Sequence, residues 1–141
     1  MALDMIGPAL VLAISACGTA IGCSIAGSVS HAMMSRVEEG HIKFIMFAAF
    51  PSTPLIYGCL LALRLQTSLS AEKISQGTSI AFGLGAGLAM AFTAVLLGQV
   101  AAASIQATAK QPAVAGKCWV SLGVIEAVGL FAFVFSYLLA G

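Results

Sequence analysis

Four long apolar stretches, residues 6–33, 44–65, 79–108 and 118–140, fill most of this 141-residue chain and leave room only for short connections. An α-helix needs about 20 apolar residues to cross the ~30 Å hydrocarbon layer of a bilayer, and each stretch meets that length. Backbone N–H and C=O groups find no water in lipid, so a spanning segment must satisfy them internally, as a helix does. Composition excludes the soluble alternative, with 60% of residues hydrophobic and 8% charged against about 25% charged in an ordinary soluble domain. The sequence therefore predicts an all-α membrane protein with four transmembrane helices arranged as two antiparallel hairpins, residues 1–70 and 71–141. The first and third stretches are longer than one bilayer requires and are expected to protrude or tilt. No basic segment followed by a short apolar core and a cleavage site opens the chain, so the first stretch is expected to be a retained helix.

The connections differ in charge. Arg36 and Lys43 flank the first, Lys110 and Lys117 the third, whereas the opposite side holds only Arg64 and Lys73. Positive charge accumulates in cytoplasmic loops, which places the first and third connections in the cytoplasm and both termini outside, with the plasma membrane as the expected location. The loop charges Arg36, Glu38, Glu39 and Lys43 fit either a solvated turn or a docking surface for a cytoplasmic partner. With a net charge of +1 and no basic run, no nucleic-acid partner is expected.

A shift of 71 residues carries Gly27 onto Gly98, Val29 onto Val100, Ala32 onto Ala103 and Gly58 onto Gly129, aligning the two hairpins as copies of one unit. Gly18 and Gly22 in the first helix, and Gly83 and Gly87 in the third, repeat at the four-residue spacing that lets helix backbones approach closely in lipid. Gly83, Gly85 and Gly87 do not read as a nucleotide loop, which would need a preceding strand. No lysine-bearing phosphate loop occurs elsewhere, so the chain is expected to bind no ATP itself and to carry no catalytic residue or resident cofactor. Cys17, Cys23, Cys59 and Cys118 lack a paired spacing and read as small apolar residues. His31 and His41 lack the pattern of a metal site, and none is expected.

One residue breaks the apolar rule. Glu126 lies in the middle of "SLGVIEAVGLFAFVF", and under the 71-residue shift its counterpart in the first hairpin is Leu55. A charged side chain at the bilayer centre costs about 2.5–3.5 kcal/mol on insertion scales, so an intramembrane carboxyl group points to a role in ion transfer. Desolvation disfavours the ionised form of a carboxyl group, whereas water and a nearby cation favour it. A carboxyl alternating between the two surroundings carries one ion per cycle.

The segments "GTAIGCSIAGS", "PSTPLIYG", "GQVAAASIQATAKQP" and "IEAVGLFAFVFSYLL" resemble, in that order, the K-subunit family of bacterial V/A-type ATPases, the duplicated proteolipids related to c subunits. The resemblance covers nearly the whole chain. It implies an oligomeric ring of copies rotating in the bilayer, ions bound at Glu126, a stator subunit supplying a membrane cation, a central stalk at the cytoplasmic loops, and ATP handled by separate subunits. In sodium-carrying members the glutamate is surrounded by a threonine and a glutamine on the second helix and a glutamine on the third. The threonine matches Thr53 and a tyrosine matches Tyr57, but the glutamine positions hold Pro54 and Leu97. The expected ion is H⁺, with Na⁺ as the alternative.

Local chemistry suggests how the carboxyl is satisfied. Proline lacks an N–H, so Pro54 leaves the Phe50 carbonyl without its usual helical partner. The Glu126 hydroxyl is expected to reach the Phe50 carbonyl or Thr53, with Tyr57 donating to the other carboxyl oxygen; Pro51 and Pro54 otherwise read as a plain kink. Two rivals remain. A small four-helix proton-coupled transporter would carry its glutamate in the first helix, where this chain has only Asp4 at the outer end, and a purely structural tetraspan protein would not need Glu126 at all.

Overall fold

The computed structural model describes residues 5–141, so Asp4 lies outside the described residues. The chain forms α1 (Ile6–Met34), α2 (His41–Ala49), α3 (Thr53–Ser70), α4 (Gln76–Lys110) and α5 (Ala115–Leu139). A single 3₁₀ turn, Phe50–Ser52, joins α2 to α3, and another, Pro112–Val114, leads into α5. Four stretches are long and apolar enough to cross a membrane: Ile6–Met34, His41–Ser70, Gln76–Lys110 and Pro112–Leu139. This is the all-helical arrangement of four spans in two hairpins that hydropathy predicts.

The boundaries differ from the hydropathy reading, most of all in the second span, which runs to Ser70 and not to residue 65. Hydropathy marks where side chains turn polar, but the backbone keeps its helical bonds until a stop signal. That signal is Glu72, at φ 57, with Glu72 N–H bonding Leu69 O and Lys73 N–H bonding Ser68 O, both at 3.0 Å. These two bonds make a Schellman closure with glutamate in the left-handed position usually taken by glycine. The next helix starts at once, because the Ser75 hydroxyl accepts the Thr78 N–H at 3.2 Å as an N-cap. Gly40, at φ 87, makes the corresponding turn before α2.

The centre of the molecule is the contact of α1 with α4. A Cβ added to Gly18 would overlap Ala91, one on Gly22 would overlap the Ala94 carbonyl, one on Gly83 would meet Gly7 O at 2.5 Å, and one on Gly87 would lie 3.2 Å from Val11 Cα. Glycine at these four positions lets the two backbones touch. Gly85 points into open space, so the close approach uses only the four-residue spacing of Gly83 and Gly87. Hydroxyl groups on these helices bond back to their own turns, Ser15 to Val11 O at 2.8 Å and Thr93 to Ala89 O at 2.9 Å.

Around this pair, α3 packs on α1 and α4, and α5 on α4 and α3. The layer formed by α5 is loose: along its length only Ala115, Leu122 and Gly129 are buried. Val120, Val124, Val128, Phe131 and Phe135 face outward. Apolar residues exposed in this pattern suit a lipid-facing or copy-facing surface.

Candidate functional site

Glu126 sits one residue short of the midpoint of α5 and is half-buried, on the side of that helix that meets α3. From α3, the Tyr57 hydroxyl donates to Glu126 Oε1 at 3.1 Å. This is the carboxyl group's one hydrogen bond among the described residues. It joins the two side chains that the sequence pairs.

The other half of the expected arrangement is absent. The Phe50 carbonyl, deprived of a partner by Pro54, accepts the Thr53 hydroxyl at 3.0 Å and also the Thr53 backbone N–H. The orphan acceptor is thus satisfied locally, by tightening one turn to 3₁₀, and neither Phe50 nor Thr53 bonds Glu126. The prolines therefore do produce a break in the span, at Phe50–Ser52, with Pro51 and Pro54 both buried.

Above and below the carboxyl, aromatic rings close the seam between α5 and the second span. Toward the connections, Trp119 of α5 lies against Phe47 (ring centroids 4.8 Å apart) and Phe50 (5.2 Å). Toward the termini, the Tyr57 ring stacks on Phe133 at 5.4 Å and 19°. Pro54 and Leu97 are both fully buried, and Leu97 belongs to the apolar cluster of Phe44, Phe47, Ile105 and Leu122. Neither supplies an oxygen. No group of three or more His, Cys, Asp or Glu side chains able to hold a metal occurs among the described residues.

Trp119 and Phe133 had no place in the sequence reading. The signal was a spacing: Phe50, Tyr57 and Arg64 recur every seven residues along the second span, and Trp119, Glu126 and Phe133 every seven along α5. Two such rows facing each other make a seam of the coiled-coil kind. Arg64, counted above with the outer connection, belongs to this seam, its guanidinium 5.2 Å from the centre of the Tyr137 ring. Lys73 is then the one basic residue in the 71–75 connection. His41 bonds the Val37 carbonyl at 2.6 Å, and the four cysteines are free.

Residues 6–65 and 80–139 each match the family model of the ATP synthase C subunit. The chain is 31% identical over 130 residues to the V-type sodium ATPase subunit K of Enterococcus hirae, an alignment covering 89% of this chain and 81% of that one. It is 32% identical over 124 residues to the A-type ATP synthase subunit K of Methanocaldococcus jannaschii, covering 86% of this chain and 56% of that one, so it spans little more than half of that relative's length. The double match follows the two hairpins, and both relatives are K subunits. This chain, with four helices able to span a membrane and one carboxyl group within them, belongs to the family of the ATP synthase C subunit, as a K-type proteolipid in which the family unit occurs twice.

Proposed function

We propose that this rotor proteolipid carries H⁺ across the membrane by reversible protonation of Glu126, coupled to ATP hydrolysis or synthesis elsewhere in a V/A-type ATPase. The observation that carries the reading is the carboxyl itself: Glu126 is the one acidic side chain within the four spans, held by a neutral tyrosine. Against hydrocarbon the protonated form is favoured, and beside water and a cation the ionised form is favoured. Copies in a ring then present each carboxyl in turn to a stator subunit that supplies the cation and aqueous access. Arg36, Lys43, Lys110 and Lys117 are all exposed at one end of the bundle. By the charge rule that end is cytoplasmic, available to a central stalk, with both termini outside the plasma membrane.

H⁺ is favoured over Na⁺ by the donor set. A hard cation must replace its hydration shell with several oxygens. Pro54 and Leu97 stand where the sodium-carrying members have glutamines, and Tyr57 is the one side chain that hydrogen-bonds the carboxyl group among the described residues. The likeness to a sodium ATPase subunit favours the second reading, Na⁺ at the same carboxyl. Carbodiimide labelling of Glu126 in the assembled complex separates them. At constant pH, added Na⁺ leaves the labelling rate unchanged if H⁺ is carried, and Na⁺-specific protection would establish the alternative.

A further inference from the structure

The hydrogen bond at Glu126 depends on where one ring is held. Tyr57 reaches across from α3, and α5 grips it at two points: its hydroxyl meets Glu126, and its ring face meets Phe133, seven residues or two turns further along the same face. Phe133 is in turn braced by Tyr137 at 5.6 Å, and Tyr137 by the Arg64 guanidinium. Arg64 lies seven residues beyond Tyr57 on α3, so the stack begins and ends on α3 and passes through α5. Tyr57 and Phe133 both pack against the buried cluster that holds Leu61, Leu65 and Met90, while α5 itself buries only Ala115, Leu122 and Gly129. Nearby, Gly129 fits against Thr93, whose Cγ2 would be 2.7 Å from an added Cβ. A tyrosine has two torsions to its ring, and without a ring face beside it Tyr57 can swing its hydroxyl away from the carboxyl.

We infer that Phe133 is a positioning residue for ion transfer: its ring fixes the Tyr57 plane and so keeps the Tyr57 hydroxyl on Glu126. This rests on the reading of Glu126 as the carrier. Carbodiimide attacks the carboxyl group itself, so a Glu126 side chain released from the Tyr57 hydroxyl is expected to label faster.

The test is a double-mutant cycle in the assembled complex, reading the rate of carbodiimide labelling of Glu126 at one alkaline pH. Tyr57→Phe is expected to raise the rate about tenfold, the scale of one hydrogen bond to a charged group. Phe133→Leu is expected to raise it by the same factor, the double variant by no more than either alone, and Phe133→Tyr to restore the wild-type rate. Emission from Trp119, the one tryptophan, should not change, because it reports packing at the other end of the seam. Should Phe133→Leu rings not assemble, Phe133→Met keeps the apolar volume without a ring plane and is expected to give the same rise. A wild-type rate in Phe133→Leu or Phe133→Met, or effects that multiply in the double variant, would overturn the inference. Glu126→Gln is measured alongside: persisting ion flux there removes the carrier reading itself, whereas lost flux with multiplying effects removes only the role of Phe133.

Discussion

The α1–α4 contact and the α3–α5 seam hold apolar helices together in the same bilayer by opposite means. In the first, side chains are nearly eliminated, so that Gly22 rests on the Ala94 carbonyl and Gly98 on Gly22. In the second, large side chains fill the gap, with Trp119 packed on Phe47 and Phe50 and Tyr57 on Phe133. Lipid supplies no hydrophobic drive between helices, so close van der Waals contact must do the work, and small residues provide the most of it. The difference shows why the carboxyl group is where it is. A backbone-to-backbone contact has no volume for a titrating side chain, whereas a seam of rings can open on one side to lipid or water without unseating the central pair.

The comparison is broken most severely at Gly98. A Cβ there would overlap the Gly22 carbonyl, and Gly98→Leu should exceed the roughly 1–3 kcal/mol of ordinary overpacking because backbone cannot rotate aside. Recovery of intact rings after detergent extraction should fall to near background. Recovery at the wild-type level would mean that the glycine contact is not what holds the bundle.

A smaller effect sharpens the chemistry of the seam. Thr53→Val removes the hydroxyl that supports the Phe50 carbonyl, and ring stability should fall by about 1 kcal/mol. Ion flux in reconstituted vesicles should persist, because the Thr53 hydroxyl bonds Phe50 and not Glu126; flux that fails while the ring remains intact would return Thr53 to the ion site. Smallest of all is Gly85→Ala. It faces open space between two glycines that do not, so ring stability should change by less than about 1 kcal/mol, in the direction of gain, through helix propensity alone.

The sequence shows the spans plainly, because bilayer thickness and hydropathy act over 20 residues at a time. It shows Glu126 as plainly, because a single acid in such a setting has no cheap explanation. The pairing with Tyr57 follows from depth and from two helices running in the same direction. Thr53 bonds the Phe50 carbonyl, where a bond to Glu126 was the expectation, because an orphan carbonyl can be satisfied from across a helix interface or from within its own turn. The choice between these depends on a backbone adjustment to 3₁₀ geometry that composition does not reveal. The span ends were set by Glu72 and Ser75, one a left-handed residue without glycine and the other a cap, and only the second carries a sequence signature. Phe133 and Trp119 were hidden because aromatic residues in a membrane helix are ordinary, and their seven-residue phase with Glu126 acquires meaning only once α3 lies opposite.

The central claim is most directly tested by ion uptake into vesicles containing the whole complex with Glu126→Gln in every ring subunit. Glutamine keeps the shape and the capacity to bond Tyr57 but cannot release a proton at any accessible pH. The account predicts rings of normal yield with ATP-driven uptake reduced to the leak of empty vesicles; uptake persisting at a substantial fraction of wild type would show that ions cross by another route.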